Sequence, residues 1–324
     1  MSPSAEFSSF QDIPSITLNN GVVMPLFGLG TWQSQPNEVS RAVEHALRSG
    51  YNHVDTAAIY GNEEEVGQGI ANSGIPRKNI FLTTKLWNSH HAPVDVPVAL
   101  EESLQKLGVD YVDLYLMHYP CANDKEKVIR DNDYVLVDID YIDTWKAMEK
   151  LLDTGKVRAI GISNFCHSET QRLLDSCTVK PQVHQMEMHP YLMQDEFLGF
   201  HNINEIHVTA YSAFGNQNQL YELTGEPRTL EHPTVVEIST RLRCSPAQLL
   251  VAWALHRGTS VIPKSVTPRR IDENLRGVSV KLSNEDYAAI SNLGFLRRYA
   301  DFGPFVGYWY YKDLECPGKK PQDH

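Results

Sequence analysis

The 324 residues carry 29 basic against 40 acidic side chains, a net charge of −11, with 42% hydrophobic and 21% charged residues. That balance allows a large core and disfavours nucleic acid or an anionic membrane as a partner, since the average surface repels both. The cysteines, Cys121, Cys166, Cys177, Cys244 and Cys316, are odd in number and scattered without the close pairs of zinc or disulfide frameworks, so they read as reduced thiols of a cytoplasmic protein.

Residues 1–14 read as an N-terminal extension whose first residues are polar and serine-rich without an apolar signal core. No Asn-x-Ser/Thr acceptor occurs, and no window approaches the ~20 apolar residues of a membrane-spanning helix, so a soluble, non-secreted chain is expected. Ser15-Ile16-Thr17-Leu18 and Val22-Val23-Met24-Pro25 flank Asn19-Asn20-Gly21, and Asn-Gly supplies the positive backbone dihedrals of a tight hairpin. Short apolar runs then alternate with amphipathic stretches. The spacing predicts strand 27–30 and helix 37–48, strand 52–55 and helix 63–71, strand 80–85 and helix 96–106, strand 112–118 and helix 142–154. It continues with strand 157–162 and helix 168–175, strand 182–187 and helix 194–202, strand 206–211 and helix 246–256, strand 259–263 and helix 268–276.

Eight strand-helix units predict a parallel sheet with helical crossovers that closes into a (β/α)8 TIM barrel of the α/β class, preceded by the β-hairpin. A single domain over residues 1–324 is expected, with long active-site loops at 119–141 and 213–231 and a C-terminal tail over 295–324 walling the pocket. A doubly wound sheet is disfavoured. Gly28-Leu29-Gly30 and Gly67-Gln68-Gly69 both lack the third glycine of a dinucleotide fingerprint, and the second pair lies in a helical pattern where it reads as packing.

In such barrels the side chains at strand C-termini face the active site. Four polar residues fall at three consecutive predicted strand ends: Asp55 and Tyr60, Lys85, and His118. A phenol is a feeble acid at neutral pH. A tyrosine that must protonate a carbonyl needs a nearby ammonium to favour its phenolate, and a carboxylate keeps that ammonium charged.

The set resembles that of the aldo-keto reductase family, and the likeness runs from about Ser15 to about Asn292. The resemblance implies that Tyr60 is the acid or base, Lys85 lowers its pKa, Asp55 pairs with Lys85, and His118 orients a substrate carbonyl. It further implies reversible hydride transfer between a nicotinamide cofactor and a carbonyl or alcohol.

A second segment points to a phosphate independently of those four. Ile262-Pro263-Lys264-Ser265-Val266-Thr267-Pro268-Arg269-Arg270 brings a strand end, cations, hydroxyls and a helix start together, and helix N-termini attract anions. By resemblance Lys264, Ser265 and Arg270 hold an adenosine 2′-phosphate while Glu273 and Asn274 contact adenine, which favours NADPH/NADP+ and leaves NADH as the weaker alternative. Ser163, Asn164 and Gln185 would grip the nicotinamide carboxamide and Tyr211 would stack on its ring, with Thr31 and Trp32 also beside the cofactor. Ser212 and Asn216 would follow the pyrophosphate, although Ser212-Ala213-Phe214-Gly215-Asn216-Gln217 stands where relatives usually have Pro and Leu. Gln217 and Asn218 read as exposed polar loop.

Trp32, Trp87 and Tyr119 match positions that line the substrate cleft in the family, and aromatic walls exclude water. Tyr119 stands in place of the more frequent Trp, and its hydroxyl makes the pocket more tolerant of polyols. Together with the loop around Gly215 and Gly225-Glu226-Pro227, this resembles fungal glycerol dehydrogenases and sugar reductases, and points to small hydroxyaldehydes, glycerol-type polyols or sugars; a secondary-metabolite ketone is the alternative.

Other clusters read as structural. His184, Glu187 and His189 alternate faces and His90-His91 reads as an exposed pair, so no metal is expected. Glu63-Glu64-Glu65 suits a helix N-terminus, where negative charge meets the positive dipole end. Tyr308-Trp309-Tyr310-Tyr311 in the tail either closes over substrate or forms a partner-binding patch. A nucleotide-sensing regulatory subunit and a barrel hydrolase or lyase are the rival readings. The first would need an extended interaction surface and the second paired carboxylates or a metal at strand ends. A monomer is the default, with a dimer open.

Overall fold

The computed structural model describes residues 13–320 apart from Pro36, Asn132, Asn216 and residues 219–222. Strands β1 (Ser15–Thr17) and β2 (Val23–Pro25) pair antiparallel with Ile16 opposite Met24. In the turn between them only Gly21 has a positive φ, 86°, so the expected left-handed Asn-Gly pair reduces to one residue. Asn19 Nδ2 donates to the carbonyls of Pro181 and Glu205 at 3.0 and 3.1 Å, and Asn20 Nδ2 to that of Arg158 at 3.0 Å. Those bonds lay the hairpin across one end of the barrel. Its Leu18 and Met24 pack there against Phe81, Leu114, Leu116, Ala159 and Val183.

The barrel strands follow as β3 (Leu29–Gly30), β4 (His53–Asp55), β5 (Phe81–Leu86) and β6 (Val112–Met117). After a two-stranded insert, β7 (Ala122–Asn123) with β8 (Leu136–Val137), come β9 (Val157–Ser163), β10 (Val183–Glu187), β11 (His207–Tyr211) and β12 (Ser260–Val261). The eight-stranded sheet runs β3-β4-β5-β6-β9-β10-β11-β12, every pair parallel. Bridges from Phe27 to Val261 and from Gly30 to Lys264 bring its two edges together and close the ring.

Alternation along each strand sorts side chains inward and outward. In β6, Leu114 and Leu116 join the inner cluster, while Tyr115 and Met117 face the helices. The helices present matching stripes. In Val39–Arg48 the buried residues are Val39, Ala42, Val43, Ala46 and Leu47, the spacing of one helical face. Helix Pro246–His256 starts where sequence predicts because Ser245 and Gln248 form a capping box ahead of Pro246. The Gly67-Gln68-Gly69 glycines are packing residues: a Cβ at Gly67 would lie 2.3 Å from the Leu107 carbonyl oxygen.

Four differences from the predicted elements stand out. Helices Pro233–Arg241 and Asn284–Ser291 are additional, β12 is only two residues long because Pro263 follows it closely, and the 119–141 connection holds β7, β8 and helix Lys125–Asp131. All five cysteines are free. No helix among the described residues is long and apolar enough to cross a membrane.

Candidate active site

Three neighbouring strands bring together the four residues expected to transfer a proton. Asp55 is the last residue of β4 and pairs in register with Thr83; Lys85 lies two residues further along β5, on the same face by strand periodicity. His118 directly follows β6, its N–H donating to the Leu86 carbonyl at 3.1 Å. Tyr60 sits not on a strand but in a single 3-10 turn, Ala58–Tyr60, ended by Gly61 at a φ of 66°. The turn swings the phenol back over the strand ends.

Lys85 Nζ is fully buried and has three acceptors for its three protons: Asp55 Oδ1 at 2.6 Å, the Thr56 carbonyl at 2.8 Å and the Tyr60 hydroxyl at 3.3 Å. The second Asp55 oxygen accepts from Gln185 Nε2 at 2.7 Å. Thr31 anchors the strand end from below, its N–H and its hydroxyl both donating to the Asp55 carbonyl. Its hydroxyl is thus spent on backbone.

Burial pulls the Lys85 ammonium down, but Asp55 and Tyr60 outweigh it and the pKa rises above the ordinary 10.5. For Tyr60 the balance is opposite to the sequence expectation. Burial raises the phenol, Lys85 lowers it, Asp55 raises it again, and the result lies above the ordinary 10.0. The site thus holds a protonated phenol whose acidity Lys85 partly restores. His118 is held well below 6.5 by burial, then by Lys85 and His91, and is a neutral imidazole. Its ring meets Tyr60 edge-on at 5.8 Å, and its buried Nδ1 has no partner among the described residues.

The three amide-type residues also converge. Ser163, the last residue of β9, is the register partner of Gln185 in the middle of β10, and Asn164 follows Ser163 in the left-handed region with a φ of 62°. Asn164 Nδ2 donates to the His118 carbonyl at 2.9 Å and to the Ser163 hydroxyl at 3.1 Å, which joins this group to the proton-transfer set. Tyr211, at the end of β11, donates to Asn164 Oδ1 at 2.7 Å.

At the far end, Lys264 leaves β12 exposed, with Nζ 3.3 Å from the Gln33 carbonyl, while burial of its stem lowers its pKa and Glu38 partly offsets this. Ser265 is buried and its hydroxyl accepts from the Thr267 N–H. Helix Pro268–Arg276 then begins without a side-chain cap from Thr267; Pro268 has no N–H and the Arg270 N–H donates to the Thr267 carbonyl at 2.9 Å, which leaves the Arg269 N–H and the positive end of the helix to an anion, with the Arg270 side chain exposed beside them. Glu273 is half-buried and Asn274 buried on that helix. Cations, a hydroxyl and an open helix N-terminus fit a nucleotide 2′-phosphate, and the Ser163, Asn164 and Gln185 group fits a carboxamide. Ser212 sits in a tight turn with a φ of 49°, its carbonyl accepting from Gly215 N–H at 2.7 Å. Asn216 lies outside the described residues. Gln217 and Asn218 are half-buried rather than exposed, and Asn218 Nδ2 donates to Gln33 Oε1 at 2.5 Å.

Aromatic rings form the walls. Trp87 meets His118, Tyr119 and Tyr134 edge-on at 5.3 to 6.1 Å, and Trp32 meets Phe302 of the tail at 6.2 Å. Tyr119 stacks on His118 and tilts against Tyr310. Sequence reasoning missed Tyr134 in the 119–141 connection and Phe302 and Val306 in the tail; the aromatic density of the tail was the available signal for Phe302 alone. That tail does not form one patch. Tyr310 and Tyr311 are buried toward the site, whereas Trp309 turns outward with Lys320 over its ring.

One further expectation is corrected. His91 is fully buried and His90 half-buried, because the turn at Asn88–His90 tucks the second ring inward. Glu63, Glu64 and Glu65 form the first turn of helix Glu63–Ser73 as expected, and Glu63 is also buried, accepting from the hydroxyls of Thr84 and Ser103 at 2.6 and 3.2 Å. His189 Nε2 meets Glu187 Oε1 at 2.8 Å and His184 Nδ1 meets His201 Nε2 at 2.7 Å. No group of three or more His, Cys, Asp or Glu among the described residues is arranged to hold a metal ion.

A profile of the Aldo/keto reductase family matches residues 25–294. An uncharacterized oxidoreductase of Schizosaccharomyces pombe is 48% identical over 304 residues, 91% of this chain and 94% of that protein. Aldo-keto reductase family 1 member A1 of Gallus gallus is 42% identical over 297 residues, 88% and 90% of the two chains. Among solved structures, the Bombyx mori aldo-keto reductase in complex with NADP matches with a TM-score of 0.84 at 37% identity, covering 92% of this chain and 98% of that one. The aldose reductase from Schistosoma japonicum matches with a TM-score of 0.85 at 36% identity and the same coverage.

Proposed function

The chain belongs to the aldo/keto reductase family and is an oxidoreductase, and from that premise we propose that it is an NADP(H)-dependent carbonyl reductase in which Tyr60 gives or takes the oxygen-bound proton. The observation that carries this reading is the saturated Lys85 ammonium, which touches Asp55 and the Tyr60 hydroxyl at once. Lys264, Ser265, Arg270 and the open N-terminus of helix Pro268–Arg276 hold the 2′-phosphate, with Glu273 and Asn274 at adenine. Ser163, Asn164 and Gln185 hold the carboxamide, and Tyr211 backs the ring. The bound cofactor supplies the hydride.

The residues of the chain do the rest. The phenol of Tyr60 is protonated at neutral pH, so in reduction it donates to the carbonyl oxygen as negative charge grows there, and the neutral imidazole of His118 orients that oxygen. The Lys85 ammonium stabilises the phenolate left behind, and Asp55 keeps the ammonium charged. Trp32, Trp87, Tyr119, Tyr134 and Phe302 keep water from the reacting atoms.

Small hydroxyaldehydes, glycerol-type polyols and sugars are the substrate class this reading favours, supported by phenol hydroxyls at Tyr119 and Tyr134 among otherwise apolar walls. NADPH oxidation against glyceraldehyde, propanal and a ketone panel tests it. Wild-type protein is expected to prefer glyceraldehyde, and Tyr119→Phe to narrow that preference severalfold. Equal kcat/KM for glyceraldehyde and propanal in the wild type overturns the substrate class. Tyr60→Phe is expected to lower turnover about a thousandfold while NADPH still binds; undiminished turnover overturns the mechanism.

A further inference from the structure

We propose that Tyr311 of the C-terminal tail is a positioning residue for the nicotinamide end of the site, acting through its hydroxyl on the side-chain amide of Asn164. The inference rests on the carboxamide role given to Asn164 above. Asn164 satisfies its whole amide within the protein, and the longer of its two Nδ2 bonds, to the Ser163 hydroxyl, is the one that a carboxamide oxygen would take over. Nδ2 uses its two protons on the His118 carbonyl and the Ser163 hydroxyl, and Oδ1 uses its two lone pairs on Tyr211 at 2.7 Å and Tyr311 at 2.8 Å. The orientation is therefore defined. A flipped amide would set Oδ1 against the His118 carbonyl oxygen, two acceptors in contact. Tyr311 provides half of the donor pair that holds Oδ1 in place, and it comes from a segment 147 residues away.

The backbone carries a second sign. Tyr311 has a φ of 56°, and bulky residues rarely adopt the left-handed region. A constrained conformation that persists in a tail must be held by its surroundings, and here it is held at several points. The Arg298 guanidinium lies 3.9 Å over the Tyr311 ring, and Arg298 itself donates to Gln194 Oε1 at 3.1 Å and to the Cys316 carbonyl at 2.7 Å. Two residues beyond Tyr311, the Asp313 carboxylate accepts the N–H groups of His167 and Ser168 at 2.9 and 2.8 Å, at the start of helix His167–Ser176. The Tyr308 hydroxyl donates to Glu169 on the same helix. The tail is fastened to the segment that immediately follows Asn164, and it delivers one hydroxyl to that amide.

Tyr311→Phe removes the hydroxyl and keeps the ring against Arg298 and Tyr310. Calorimetric titration of wild type and variant with NADPH, and with 2′,5′-ADP, which carries the 2′-phosphate but no nicotinamide, separates a local effect from a loosened fold. The Kd for NADPH is expected to rise about three- to tenfold, the value of one ordinary hydrogen bond, while the Kd for 2′,5′-ADP stays within about twofold. Unchanged NADPH affinity, or an equal loss for both ligands, overturns the proposal. Wild-type protein that binds no NADPH removes the functional reading and this inference together, whereas a wild type that binds beside a variant that binds equally well removes only the inference.

Discussion

The hairpin end of the barrel and the catalytic end are both dry, but they stay so by opposite means. Below, Leu18 and Met24 seal the ring against Phe81, Leu114, Leu116, Ala159 and Val183, while the hydrogen bonds of Asn19 and Asn20 tie the hairpin down over that apolar plug. Above, Asp55, Lys85, Asn164 and Gln185 are as deeply buried, and the ion pair and both amides are held by a closed set of hydrogen bonds. The hairpin end is filled by apolar bulk. The polar end is stable only while every partner is present, so the two ends should fail differently when a residue is removed.

The largest effect is expected at Lys85. Lys85→Met keeps most of the side-chain volume but strands the Asp55 carboxylate beneath it. Breaking a buried ion pair from one side costs about 3–5 kcal/mol, and loss of the group that stabilises a phenolate at Tyr60 should reduce turnover at least about a hundredfold. Urea denaturation and steady-state kinetics measure both. A variant as stable as wild type would show that the catalytic end tolerates an unpaired carboxylate, and the contrast between the two ends would fall.

Met24→Ala is the matching change below. Met24 is 1% exposed, and a truncation of this kind costs about 2–5 kcal/mol through lost burial and the cavity left behind. Its distinguishing feature is silence in catalysis: kcat and KM for the surviving folded protein should stay within about twofold of wild type. A large fall in kcat would mean that the plug transmits strain along the strands to Asp55 and Lys85.

What could be read from sequence follows the same division. The strand runs, such as Phe81-Leu82-Thr83-Thr84-Lys85, place their polar residues at one end, so the meeting of Asp55, Lys85 and His118 was legible from strand order alone. The Tyr60 ionisation was not, since its sign depends on how much burial outweighs Lys85, a tertiary quantity. Helix Pro233–Arg241 was missed because its stripe is thin, with only Val235, Ile238 and Ser239 buried. His91 and Tyr311 were misplaced or left open for a common reason: their environments are built by distant segments, and nothing local marks a ring as inward.

Acid separates activity from stability. Burial lowers His53, His201 and His207 to about 4 and His91 to about 3, against 6.5 in an unfolded chain. Between those values and 6.5 the unfolded chain binds protons that the folded one refuses. The stabilisation is complete above pH 6.5 and is lost as pH falls, each ring adding up to about 1.4 kcal/mol per pH unit. Reductive kcat should show no ionisation of Tyr60 or His118 between about pH 6.5 and 10, because one pKa is raised above that window and the other lies below it. Thermal melts and a pH-rate profile over pH 4–10 check this; a kinetic limb near pH 7 to 8 would assign a different proton donor.

The smallest effect tests whether the plug depends on its turn. Gly21 adopts a φ of 86° with nothing within 4 Å of where a Cβ would stand, so Gly21→Ala meets no clash and its cost is purely conformational. An L-residue with positive φ loses roughly 1–2 kcal/mol, and the stiffer unfolded chain returns about 0.4–1 kcal/mol, leaving a net loss near 1 kcal/mol. Because Asn19 and Asn20 tie the turn to β9 and to the segments just before β10 and β11, the loss should appear as a lower denaturation midpoint at unchanged slope. A reduced slope would instead mean that the hairpin detaches while the barrel remains folded, and that the apolar end closes in two steps where the catalytic end closes in one.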